Sequence, residues 1–167
     1  MNKMKKEVMS AVDFLSNLLR THQVDDYQIE TFRQTLHVLL CTHYQNHWFP
    51  EKPMKGSAYR CLRINGHMDP LLRKAGETCG LSEGNLYSLL PRELTLWVDP
   101  QEVSYRIGED GSIGVLYDAA ETQENLSVQS SELDLEFQQP CSGEARLMTP
   151  SFRPDAVHME YLAQYAS

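Results

Sequence analysis

His43 and His47 stand four residues apart in a stretch with helical periodicity, which places two imidazoles on one helix face where they could share a metal ion. A hydrolytic site of that kind needs a glutamate after the first histidine and a third ligand, and neither is apparent nearby. The pair therefore reads as packed or hydrogen-bonded histidines, with no metal or other cofactor expected. Serine, histidine and aspartate all occur, yet no GxSxG elbow presents a nucleophile, and no residue stands out as acid or base. This is not the sequence of an evident enzyme. "LSNLL" at 15–19 and "LYSLL" at 86–90 both fit LxxLL, the pattern an apolar groove accepts from an exposed helix, through Leu15, Leu18, Leu19, Leu86, Leu89 and Leu90. The same leucines form the apolar stripes that their helices need for packing. "EKPMKGSAYRCLR" gathers Lys52, Lys55, Arg60 and Arg63 against Glu51, a cluster that could meet phosphate but reads as a solvated loop. Trp97 is the odd aromatic. In "ELTLWVD" the side chains alternate, so Leu94, Leu96 and Val98 share one face while Trp97 falls with Thr95 and Asp99 on the other.

Two long helices must come first. Val8, Ala11, Val12, Leu15, Leu18 and Leu19 keep the spacing of one helical face up to about Arg20, and Ile29, Phe32, Leu36, Leu39, Leu40 and His43 repeat it behind a cap at Asp25 or Asp26. The prolines and glycine of "FPEKPMKGSA" predict a loop, and "YRCLRIN" then has the composition of a strand, which would put Tyr59 with Cys61 and Arg63 opposite Leu62 and Ile64. Asp69 and Pro70 open another helix that Gly80 closes. Ser82 caps the next, with Leu81 and Leu86 as its staple and Pro91 as its stop. "ELTLWVD", "EVSYRIG" and "SIGVLYD" follow as strands joined by Asp-Pro and Glu-Asp-Gly turns. Helices first and a largely antiparallel sheet afterwards predict an α+β fold, with several helices packed on a small sheet.

The 167-residue chain suits one domain with a remainder. Residues 1–118 hold 13 Lys/Arg against 15 Asp/Glu, a net of -2, whereas residues 119–167 hold 2 against 8, a net of -6. The expected organisation is a domain over 1–118 and a mostly disordered acidic tail over 119–167, in which "DAVHMEYLAQY" could form a short partner-bound helix through Val157, Tyr161 and Leu162. A chain this acidic lacks the footprint for tight direct binding of nucleic acid. The start "MNKMKKEVMSAVDFLSNLLR" is too interrupted by charge for a secretory leader, and no stretch is apolar enough to span a membrane. Four cysteines at 41, 61, 79 and 141 form no CxxC pair, which suits a reducing compartment.

Two blocks, "HYQNHWFPEKPMKGSAYRCLRIN" at 43–65 and "LPRELTLWVDPQEVSYRIGEDGSI" at 90–113, resemble the two signature boxes of the BTG/Tob antiproliferative family. With the surrounding helices the resemblance covers about residues 4–118, and it is closer to the short BTG branch than to Tob. It implies a single BTG-type domain and a non-enzymatic adaptor. That adaptor binds the deadenylase nuclease subunit of the CNOT complex, promotes mRNA deadenylation and decay, and restrains cell-cycle progression in cytoplasm and nucleus. The family's contact residues match Tyr59 and Trp97 here, with Asp99 close to the latter. It is also described as a transcriptional coregulator, for which the LxxLL helices would be the means of reaching transcription factors. No counterpart of the third, C-terminal box of the short branch is found in the tail, so recruitment of the poly(A)-binding protein is not supported.

Overall fold

The structure is a computed structural model that describes residues 4–123. Helices α1 (Lys5–Arg20) and α2 (Asp26–Tyr44) pack against each other. A short turn of helix α3 (Ser57–Arg60) precedes strand β1 (Leu62–Asn65), and α4 (Pro70–Thr78) and α5 (Glu83–Leu89) then lead into β2 (Glu93–Asp99), β3 (Glu102–Ile107) and β4 (Ile113–Asp118). The strands make one antiparallel sheet in the order β1-β2-β3-β4, so the expected α+β architecture is the one observed. Residues 119–123, expected as the start of the disordered tail, take one further helical turn, and the rest of the expected acidic tail, "DAVHMEYLAQY" included, lies outside the described residues.

Local chemistry sets most of the boundaries. Asp25 accepts from the Tyr27 amide and Asp69 from the Leu71 amide, each capping a helix whose first amides would otherwise lack partners. Ser82 does the same for Asn85, and Gly80, at φ +81°, ends the turn after α4. The periodic leucines turn inward. Val8, Val12, Leu15, Leu19, Phe32, Leu36 and Leu40 join Leu62, Ile64, Leu94, Leu96, Val98 and Val103 from the sheet in one core. Phe14 stacks on Tyr105 at 4.7 Å between ring centres. Gly114 pairs with Tyr105 across β3 and β4, and a Cβ there would lie 2.5 Å from the ring, so this strand position has room only for glycine.

The leucines of both LxxLL segments are spent on this core. Leu15, Leu18, Leu19, Leu86 and Leu90 are buried and Leu89 is half-buried against the cluster, which removes the exposed helix that a receptor groove would grasp. A side chain cannot be packed inside and presented outside in the same folded state, and the packing stripe wins. Among the described residues no helix is long and apolar enough to cross a membrane.

Candidate docking site around Tyr59 and Trp97

The expected strand from Tyr59 is where sequence reasoning went astray. The chain adopts a left-handed conformation at Gly56, φ +77°, and then closes a helical turn, with the amides of Tyr59 and Arg60 both donating to the Gly56 carbonyl. The strand starts only at Leu62. The turn is held because it delivers the Arg60 side chain into the protein.

Arg60 is fully buried, at 0% exposure, although its position in a lysine-rich loop suggested a solvated cation. Its Nε donates to the Val98 carbonyl at 2.9 Å. One terminal nitrogen donates to the carbonyls of His47 at 2.6 Å and Lys55 at 2.7 Å, the other to the Pro53 carbonyl at 2.7 Å and to Asp99 Oδ1 at 2.6 Å. A guanidinium has five N–H groups in a fixed fork, and all five have an acceptor. Burying a charge is costly unless it is paired and hydrogen-bonded, and both conditions hold here. The Trp48 ring lies 5.5 Å from the guanidinium, and the buried Tyr44 hydroxyl donates to the Arg60 carbonyl at 2.7 Å. Burial, the largest influence, raises the Tyr44 hydroxyl's pKa, so it stays a protonated donor.

Asp99 completes the hub from β2. Its second oxygen accepts from the Ser57 hydroxyl at 2.9 Å, so the carboxylate is engaged on both sides and its side chain is only 15% exposed. The sequence placed Asp99 among the contact residues beside Trp97, and it does share the strand. Its carboxylate ties α3 to the end of β2.

Tyr59 leaves this hub pointing outward and remains 42% exposed. Its ring stacks on His47 at 3.7 Å and on His43 at 4.3 Å between centres, and its hydroxyl lies 3.3 Å from His43 Nδ1. The helix α2 ends at Tyr44, so His47 is no longer on the helix of His43, and both imidazoles stack on the phenol ring. No three of His, Cys, Asp and Glu come together as a potential metal site among the described residues. Burial raises the pKa of the Cys41, Cys61 and Cys79 thiols, opposite to what activates a nucleophile.

Trp97 sits as alternation predicts, away from buried Leu96 and Val98, opposite Ser104 of β3 and half-buried. The Arg106 guanidinium lies 5.9 Å from its ring centre. Trp97 adjoins Val98, whose carbonyl Arg60 holds, and Tyr59 adjoins Arg60 itself. The hub therefore ties the turn that carries Tyr59 to the strand that carries Trp97, 38 residues later in sequence. Sequence reasoning singled out Tyr59, Trp97 and Asp99, took Arg60 for a solvated cation, and anticipated neither Ser57 nor the stacking of the packed histidines on Tyr59.

An aromatic in this setting can do one thing well. Its rotamer is set before a partner arrives, so ordering it costs little, and both rings offer apolar area with a polar edge.

The profile of the BTG family matches residues 4–117. Human BTG1 is 57% identical over 128 residues, covering 74% of this chain and 75% of BTG1. Mouse Tob1 is 35% identical over 153 residues, covering 90% of this chain and 40% of Tob1. Among solved structures, the BTG/Tob domain of C. elegans FOG-3 shares the fold with a TM-score of 0.63 at 20% identity, over 72% of this chain and 96% of that domain. The chain belongs to the BTG family, nearer in sequence to BTG1 than to Tob1.

Proposed function

We propose that the protein is a non-enzymatic antiproliferative adaptor. It docks the deadenylase nuclease subunit of the CNOT complex on Tyr59 and Trp97, promotes mRNA deadenylation, and acts in cytoplasm and nucleus. The observation that carries this reading is the exposed Tyr59 ring, pinned by His43 and His47 and anchored one residue from a fully buried arginine. An exposed aromatic that the fold takes trouble to immobilise is the usual form of an interface anchor. Asp99 supports the site by accepting from Arg60 and Ser57, which holds α3 against the end of β2. The family membership supports the choice of partner.

The test uses the two purified proteins. A stable complex should form on gel filtration, while the adaptor alone should leave poly(A) RNA intact even with divalent metal supplied. Failure of the complex to form, or cleavage of poly(A) by the nuclease-free adaptor, would overturn the reading.

A further inference from the structure

Strand β4 forms one edge of the sheet and is the last strand of the described chain. An open strand edge presents unpaired N–H and C=O groups, and folded proteins normally blunt it with charge, proline or a cover. The edge here carries the opposite: Ile113 is 63% exposed and Val115 57% exposed. Val115 pairs with Ser104, which in turn faces Trp97, so this apolar pair lies on the sheet face turned away from the helices.

Something that reads as a strand follows in the same chain. Residues 131–137, "SELDLEF", alternate strictly: Leu133, Leu135 and Phe137 fall on one side and Glu132, Asp134 and Glu136 on the other, with Pro140 as the stop. This segment lies outside the described residues. Residues 132–137 match the six residues of β4 in length. The chain between Asp118 and Ser131 has 12 residues, and extended it reaches about 40 Å, far beyond the roughly 5 Å between neighbouring strands. Closing a loop of that length adds little entropy cost.

Charge selects the orientation. Glu7, in the first turn of α1, accepts from the Gln101 amide at 3.0 Å, and the Gln101 carbonyl accepts from the Ala119 amide at 2.9 Å. The first turn of α1 therefore lies at the Asp118 end of β4, on the helical side of the sheet, with exposed Lys5 and Lys6 next to it. A strand running back antiparallel from that end would put Leu133, Leu135 and Phe137 with Ile113 and Val115, and would turn Glu132, Asp134 and Glu136 toward the side that carries those lysines.

We propose that residues 132–137 add to the β4 edge as a fifth antiparallel strand, covering Ile113 and Val115 with the tail of the same molecule. The test is amide hydrogen exchange on the full chain, wild type against the triple variant Leu133→Asp, Leu135→Asp, Phe137→Asp, with the α2 amides as a control for folding. The β4 amides not bonded to β3 should exchange about tenfold more slowly in the wild type, and this protection should survive dilution. Equal exchange in the two proteins would overturn the proposal. Protection that fades on dilution would also overturn it, in favour of a second copy of the chain on the edge.

Discussion

The helical side of the sheet and the rim at α3 differ in what holds them. On the helical side, Leu15, Leu19, Leu86 and Leu90 are buried among other hydrocarbon, and each contributes by leaving water. At the rim, order comes from one guanidinium with five acceptors and a carboxylate with two donors, and the aromatic next to it stays in solvent. The contrast shows how a small domain can display an apolar ring without losing it to the core. A polar hub carries the stability at that point, so Tyr59 need not be buried to be fixed.

Loss of the Arg60 guanidinium should do the most damage. Arg60→Ala leaves the Asp99 carboxylate and four carbonyls without their donor, a loss of about 3–5 kcal/mol in stability. Arg60→Lys should recover only part of it, because an ammonium has three donors and no fork. Urea denaturation of the three proteins measures both effects. A mild loss for the alanine variant would mean that water replaces the hub readily.

Truncation on the helical side comes next. Leu86→Ala, at a fully buried position against α4, should cost about 2–5 kcal/mol and leave the surface around Tyr59 unchanged. Denaturation together with the fluorescence of Trp97 and Trp48 reads the two aspects. A small cost would show that the α4 and α5 pair collapses easily around the gap.

Asp69, the cap of α4, gives the smallest effect and one with a pH signature. Burial, the largest influence, raises its carboxyl pKa, opposed by the amides of Leu71, Arg63 and Leu72. The folded protein thus holds the Asp69 proton more tightly than the unfolded chain does. This group's contribution is most favourable below the ordinary carboxyl range near 4, and it declines as pH rises through the higher folded value. Asp69→Asn keeps a cap acceptor of similar quality but has no proton to lose. The wild type should therefore lose stability relative to the variant as pH climbs from about 3 to 7. A difference that is flat or of opposite slope would show that the amide bonds outweigh burial.

Much of this is legible in the sequence. Asp25, Asp69 and Ser82 were readable as caps because a cap acts on amides two or three residues away, and the leucine stripes were readable because periodicity is local. Trp97 was legible for the same reason, since strand alternation alone puts it opposite Leu96 and Val98. The hub was not. Its acceptors come from residues 47, 53, 55, 98 and 99, and nothing in "YRCLRIN" distinguishes an arginine that folds inward from one in solvent. The strand-like composition around Tyr59 concealed the helical turn for the same reason, because long-range bonds to Arg60 decide it. The histidine pair had the spacing of a metal site, but its stacking on Tyr59 depends on a helix ending at Tyr44, which short-range rules place poorly.

In the proposed adaptor, Tyr59 and Trp97 are held for a partner rather than for the fold. Tyr59→Ala and Trp97→Ala, each compared with wild type for melting temperature and for affinity to the purified deadenylase subunit, test it most directly. Each should weaken binding by roughly 2 kcal/mol, about thirtyfold in Kd, while melting close to wild type. Undiminished binding by both folded variants would contradict the claim, and so would a Trp97→Ala protein destabilised by the roughly 3–5 kcal/mol expected of a core tryptophan.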